Sequence, residues 1–376
     1  MDLIGKDIKL VIDLSRKSMY FSSAPARVCL FGEHQDYLEL KVIPAAINLR
    51  LQITSQKVRG NVIEVHSQDL DETTQIRIDI KHLEAEKGSL ASYLEAGILA
   101  LKIFKQDIAI PPLDVTVRSQ IPIASGLSSS AALLVGWIKH LAGILELNLD
   151  ERTIAELAYN AEHNFLKIPC GRMDQYVSSF GGIFSLVCKE KPTLNGLKYP
   201  NLGLIIVNSQ IPKLTSNIHG EKVAKIKHVV DNYKKMFNKK LEDITTDFLQ
   251  ESKEKIKLDE FKIMKGVVSI KENTSIAEKE LSKPTPDLEL LGQLLTTQHD
   301  FLKNNIQVSL PLLDKIVEKG IKNGAMGGKL TGAGLGGSVV LLTEETNEKI
   351  VEKIKNDLKL PVYSVRIDKG AVFEVI

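Results

Sequence analysis

The chain of 376 residues has little cysteine, few aromatics and almost no net charge. Its three cysteines, Cys29, Cys170 and Cys188, are odd in number and lack a Cys-x-x-Cys spacing. That excludes a disulfide framework and a cysteine zinc site, and it suits reduced thiols in a cytoplasmic protein. Aromatics make up 5% of the residues, with a single Trp, too few for a platform on which nucleic-acid bases stack. Lys and Arg number 49 against 47 Asp and Glu, so no basic excess points to nucleic acid. No apolar run nears the ~20 residues that span a bilayer, and Met1–Lys6 carries no secretory pattern. What remains is an enzyme acting on small molecules, with no nucleic-acid or membrane partner. The length favours two domains.

The most informative stretch present is Pro122–Ala132, where Gly126 and Ser125, Ser128, Ser129 and Ser130 stand just before a long apolar helix expected from Leu127 to about Leu145. A helix N-terminus carries unpaired N–H groups and partial positive charge, so this junction can bind phosphate. The small residues let an anion approach the backbone, and the hydroxyls can donate or ligate a hydrated Mg²⁺. A serine-rich helix cap is the competing reading. Far downstream, Gly332, Gly334 and Gly337 satisfy G-x-G-x-x-G, but the β-branched run Ser338–Leu342 after them reads as a strand. A dinucleotide-binding fingerprint needs a helix there, so that reading is rejected, while a loop that brings amides to a phosphate remains. The chain has no G-x-x-x-x-G-K-[ST] and no protein-kinase H-R-D and D-F-G set.

Two carboxylates stand in useful places. Glu162 flanks the apolar stripe of a helix that starts at the N-cap Asp150, and an acid there should be paired or metal-bound. Asp174 falls in the first turn of a short helix after the Pro169–Gly171 break, where the dipole favours its ionised form. An ionised carboxylate in a cleft can accept the proton of a substrate hydroxyl during phosphoryl transfer. A third cluster joins Arg27 at the start of an apolar strand to Glu33, His34, Asp36 and Tyr37 in the following loop. That set suits sugar hydroxyls. Metal ligation by His34 and Asp36 lacks a second histidine at ligand spacing.

Together these regions resemble the GHMP kinases, and within them the galactokinase group. Pro122–Ala132 resembles the superfamily's phosphate motif and Thr331–Gly337 its C-terminal glycine motif; Ala26–Tyr37 resembles the galactokinase sugar signature, Ala161–His163 with Cys170–Tyr176 its catalytic segment, and Val308–Asp314 adds a weaker match. The resemblance implies an α+β, two-domain GHMP kinase fold: residues 1–205 like ribosomal protein S5 domain 2 and 206–376 ferredoxin-like, with the site between them. It implies an ATP-dependent, Mg²⁺-requiring transfer to a sugar hydroxyl, foremost the anomeric hydroxyl of galactose or a related hexose, in a monomer or homodimer. Residue by residue, Asp174 would be the base or electrostatic partner of the attacking hydroxyl, and Arg27 would sit against it. Ser125, Gly126, Leu127, Ser128 and Ser129 would cradle the phosphates with Gly332 and Gly334. Ser130 and Glu162 would hold Mg²⁺, while Glu33, His34, Asp36, Gly171 and Asp174 would bind the sugar. The chain departs from the galactokinase pattern at Leu38–Leu40, at Arg172, and in 208–221, which lacks the group's tyrosine and paired arginines. Arg172 reads as an ion-pairing residue, with a role toward an anionic sugar such as a uronic acid as the competing reading. The superfamily motifs also suit a mevalonate kinase, and a sugar and ATP sensor without turnover.

Overall fold

The computed structural model describes residues 18–67, 74–85, 89–197, 202–212, 216–344 and 348–376. The expected N-terminal extension falls outside these residues up to position 17.

A long antiparallel pair, buried along much of its length, is formed by β1 (Met19–Phe31) and β2 (Lys41–Lys57), in register from Met19 opposite Gln56 to Phe31 opposite Ile43 with two bulges. Next come β3 (Val62–Ser67), β4 (Thr74–Asp79), α1 (Leu90–Phe104) and β5 (Leu113–Ser119). They are followed by α2 (Ser129–Ile144), α3 (Glu151–Asn160), α4 (Met173–Phe180), β6 (Phe184–Val187) and β7 (Thr193–Gly196). The main sheet runs β4-β3-β5-β2-β1 outward to the chain's last strand, and β6 branches from β2 to pair with β7. The apolar helix α2 packs between this sheet and α1, α3 and α4. Its Trp137 is fully buried, with Nε1 donating to Leu94 O at 2.9 Å. A helix apolar on nearly all sides is stable only when enclosed in this way.

The second unit begins with β8 (Gly203–Asn208) and continues with α5 (Ser216–Phe237), α6 (Thr246–Glu251), α7 (Leu258–Leu281), α8 (Leu288–Phe301) and α9 (Pro311–Lys322). After them come β9 (Gly327–Thr331), β10 (Ser338–Thr343), α10 (Glu348–Leu358), β11 (Val362–Val365) and β12 (Val372–Val375). Its antiparallel sheet is ordered β11-β8-β10-β9. A division at 205/206 therefore falls inside β8, and β12 returns to pair with β1, from Tyr20 opposite Val375 to Ser23 opposite Val372. The sequence shows a strand near residue 205 but not which sheet it joins, because that choice rests on pairing with β10 and β11. The Lys/Glu-rich 220–302 region is helical as expected. No helix among the described residues is long and apolar enough to cross a membrane.

Candidate active site

Strand β1 delivers Arg27 into the interior between the buried Ala26 and Val28. Its guanidinium forks onto Asp174 in the first turn of α4, with Nε donating to Oδ1 at 2.7 Å and Nη2 to Oδ2 at 2.8 Å. The remaining Nη1 donates to Gly126 O at 2.7 Å. Burial opposes the charge of Arg27, but Asp174 and Glu33 hold its pKa above the ordinary arginine value. Ser128 adds a third donor to Asp174, from Oγ to Oδ2 at 2.5 Å. Ser128 precedes α2 at φ +64°, and its side chain makes no cap hydrogen bond. The helix-cap reading thus fails at this residue. Ser128 also lines the cavity of the serine loop, and its hydroxyl is bonded to the Asp174 carboxylate.

The serine loop lines a cavity of about 520 Å³, together with Arg27, Asp174, Gly332 and Ala333. Ser125, Gly126, Leu127, Ser129 and Ser130 all reach it. Ser67, Ser89, Tyr93 and Val117, which no motif in the sequence singles out, also line it. One local signal is present: Ser89 is the N-cap of α1, accepting from Ser92 N at 3.2 Å. The volume falls within the ~300–1,000 Å³ range of small-molecule sites. Gly332 lies in the turn between β9 and β10, as the rejection of the dinucleotide fingerprint required. Two glycines let the loops meet. Gly126 has φ +77° and Gly332 φ +86°, and a Cβ on Gly332 would stand 2.6 Å from Gly126 O. Gly334 does not line the cavity; it packs on Val308, whose carbonyl would be 2.3 Å from an added Cβ. Its role is to seat the loop, since the neighbouring Leu335 N donates to Val308 O at 2.7 Å. The Val308–Asp314 segment supports the loop further: Asp314 accepts from Ser309 Oγ at 2.6 Å and pairs with His299 at 3.1 Å, while Leu330 N donates to His299 Nδ1 at 3.3 Å.

The expected sugar residues lie off this cavity, Asp174 excepted. Asp36 packs against Gly171 so closely that a Cβ there would be 2.1 Å from Oδ2. Burial, then the negative charge of Asp174, pushes the Asp36 pKa up to about 6. Burial also pushes the Cys170 thiol up, and the charges of Glu162, Asp174 and Asp36 add to the shift. His34, at φ +61°, accepts from Tyr37 Oη at Nδ1 (2.9 Å) and faces Ala333 O with Nε2 (3.2 Å). The carbonyl can only accept, which assigns the ring proton to Nε2. Glu33 is 2% exposed; Oε1 accepts from Gly332 N at 2.6 Å and Oε2 pairs with Lys329. The sequence pattern places Glu33 on sugar and gives no sign of Lys329.

Glu162 sits in a π-helical turn, Ala161–Phe165, that follows α3, is 5% exposed, and accepts from Gln175 Nε2 at 2.7 Å. Such turns are rare and favour functional sites. The other amide atom, Gln175 Oε1, is buried without a hydrogen-bond partner. Among the described residues no three His, Cys, Asp or Glu are grouped to hold a metal, so His34 and Asp36 form no such centre. Arg172 turns away from Asp174. Its Nε donates to Glu156 at 2.9 Å, the guanidinium lies 4.2 Å over the Tyr159 ring, and Tyr176 Oη donates to the same Glu156 at 2.7 Å. The ion-pair reading of Arg172 is the one observed.

Three family models match the chain. The GHMP kinases N terminal domain matches residues 92–182, the GHMP kinases C terminal domain 277–360, and the galactokinase galactose-binding signature 14–56. A galactokinase of Pyrococcus furiosus is 30% identical over 332 residues, covering 87% of this chain and 90% of that protein. The chain belongs to the galactokinase group of the GHMP kinases. A Haemophilus influenzae galactokinase is 28% identical over 340 residues, with 89% and 88% covered. Among solved structures, Lactococcus lactis galactokinase complexed with galactose superposes with a TM-score of 0.84 at 23% identity, covering 94% of this chain and 95% of that one. Methanococcus jannaschii mevalonate kinase gives 0.72 at 23% identity, with 93% and 98% covered. At these identities the structures establish the fold, and the sequence relatives carry the activity: a galactokinase-like small-molecule kinase with ATP as co-substrate.

Proposed function

We propose that this kinase transfers the γ-phosphoryl group of ATP to the anomeric hydroxyl of galactose or a closely related hexose. The observation that carries the reading is Asp174, which lines the cavity, is held by Arg27 and Ser128, and raises the pKa of Asp36 by its negative charge. ATP would occupy the cavity, with its phosphates on the amides of Ser125–Ser130 and on Gly332. The sugar would bind beside Asp36 and Gly171, with its reacting oxygen toward Asp174 and its other hydroxyls toward His34 and Glu33.

Phosphoryl transfer goes through a loose transition state in which positioning and charge stabilisation dominate. Asp174, fixed by three donors, orients the acceptor hydroxyl and receives its proton as the oxygen bonds to phosphorus. Arg27 supplies positive charge at the same point without moving during the reaction.

Ser130 and Glu162 would hold a metal. Both are hard oxygen donors, Glu162 is a buried carboxylate, and an unsatisfied buried oxygen, Gln175 Oε1, belongs to the residue that holds it. Mg²⁺ takes one or two carboxylates plus phosphates and water, and when bound it would supply positive charge against the phosphates.

The test is ADP release across hexoses, uronic acids, N-acetylhexosamines and mevalonate, with Asp174→Asn as the control. Turnover with galactose, reduced at least about 10³-fold in Asp174→Asn while nucleotide still binds, is the expected result. Preference for mevalonate or a uronic acid would refute the acceptor, and unchanged kcat in Asp174→Asn would refute the role of Asp174.

A further inference from the structure

The loop that carries the sugar signature is bonded to the loop that lines the nucleotide cavity at three successive points. Cys29 N donates to Thr331 Oγ1 at 3.0 Å, Gly332 N donates to Glu33 Oε1 at 2.6 Å, and His34 Nε2 reaches Ala333 O at 3.2 Å. Beneath them lies an ion pair between Glu33, 2% exposed, and Lys329, fully buried, whose Nζ also donates to Cys29 O at 2.8 Å. Glu33 and Lys329 are 296 residues apart in sequence, one on each side of the contact between the units.

Stability alone does not account for this pair. Replacing a buried ion pair by apolar residues of similar volume is often neutral or favourable, because desolvation offsets the attraction. What the pair does here is geometric. Lys329, on β9, holds one oxygen of Glu33 and anchors it to β1, while the other oxygen holds Gly332. Each oxygen retains a lone pair, so Glu33 can accept a ligand hydroxyl while fixed at both ends. Any shift of the carboxylate on accepting that bond is passed to Gly332 and Ala333, and both line the cavity.

We infer that the Glu33–Lys329 pair couples the two substrate sites: sugar on Glu33 sets the position of the Gly332–Ala333 turn and raises the affinity for nucleotide. Lys329 is the positioning residue of this device and touches neither substrate. Linkage makes the effect reciprocal, so nucleotide tightens sugar by the same factor. The inference rests on the sugar-kinase reading.

Isothermal titration of the full chain with magnesium β,γ-imido-ATP, with and without saturating galactose, reads the coupling directly, and galactose titrations with and without the analogue read its reciprocal. For the wild type we expect each ligand to tighten the other about fivefold or more, as in ordinary coupled sites. The variant Lys329→Met removes the positioning residue, which touches neither substrate, and leaves Glu33 its bond from Gly332 N. It should retain nucleotide binding in the absence of sugar, with the coupling ratio falling to near one. A purely structural pair would lower Tm and leave the ratio unchanged, and that result overturns the inference. So does a wild type that turns galactose over with a ratio of one. Failure of the wild type both to bind and to phosphorylate galactose, with nucleotide still titrating, instead overturns the sugar reading and removes the coupling with it. Should Lys329→Met not fold, Lys329→Gln, which keeps an N–H donor beside Glu33 and Cys29 O, reads the same ratio.

Discussion

Ser128→Ala separates two roles that one hydroxyl could have. Ser128 Oγ donates to Asp174 Oδ2 at 2.5 Å, and Asp174 keeps its two bonds from Arg27 when that donor is removed. A hydrogen bond to a charged group is worth about 1.5–3 kcal/mol. The Asp174 side chain is 28% exposed, so water can replace part of the loss, which lowers the expected cost to about 1–1.5 kcal/mol. Serine and alanine both carry Cβ at φ +64°, so backbone strain is the same in the two proteins and does not enter the difference. The expected outcome is a fall in kcat of about 5- to 12-fold, with KM for ATP changed less than about twofold. Steady-state kinetics with both substrates varied makes the measurement. If instead KM for ATP rises about tenfold at unchanged kcat, the hydroxyl serves phosphate and the assignment to Asp174 is wrong.

The neighbouring residues carry consequences of their own. Asp36 has a pKa raised to about 6, so kcat/KM for the sugar should fall as pH drops through 6 and an acceptor becomes protonated; Asp36→Asn should remove that limb from the pH profile along with most sugar affinity. The sign for stability is the reverse: the folded state holds the Asp36 proton more tightly than the unfolded chain, so this group opposes folding above pH 6, and the opposition fades between pH 6 and 4. Glu162→Gln should weaken Mn²⁺ binding to the ADP complex about tenfold or more in an electron paramagnetic resonance titration, whereas a surface role would leave the titration unchanged. Gly171→Ala places Cβ against the Asp36 carboxylate and should raise the sugar KM while the ATP KM stays within about twofold; equal effects on both would show that Gly171 serves only packing. Arg172→Leu should lower Tm through loss of the Glu156 pair and leave the preference between galactose and galacturonate unchanged; a lost preference for the uronic acid would place Arg172 on the substrate.

Much of the architecture is legible in the chain because it depends on near neighbours. The Asp150 N-cap accepts from Thr153 N at 2.8 Å, as its position before an amphipathic run requires. Helix α2 is enclosed because its residues are apolar on nearly all sides. The strand after Gly337 excludes a dinucleotide fingerprint. Helix starts, turns and strand periodicity are local, so order and spacing were enough to recover the GHMP motifs, and the resemblance they carry implied that Arg27, Asp174 and the serine loop share one site.

Only the tertiary structure decided which partner each polar group takes. Ser128 reads in sequence as one more phosphate donor, and it is bonded to a carboxylate 46 residues away. Glu33 reads as a free acceptor for sugar, and it is held by Gly332 and by Lys329, 296 residues away. Gly334 reads as a phosphate glycine and seats its loop on Val308. Strand β12 returns to β1, although nothing in its composition says which sheet it joins. The physical reason is the same in each case. A buried hydrogen-bonding group must find a partner, and the partner is set by which surfaces the packed core brings together, a property of the whole chain that no window of sequence contains.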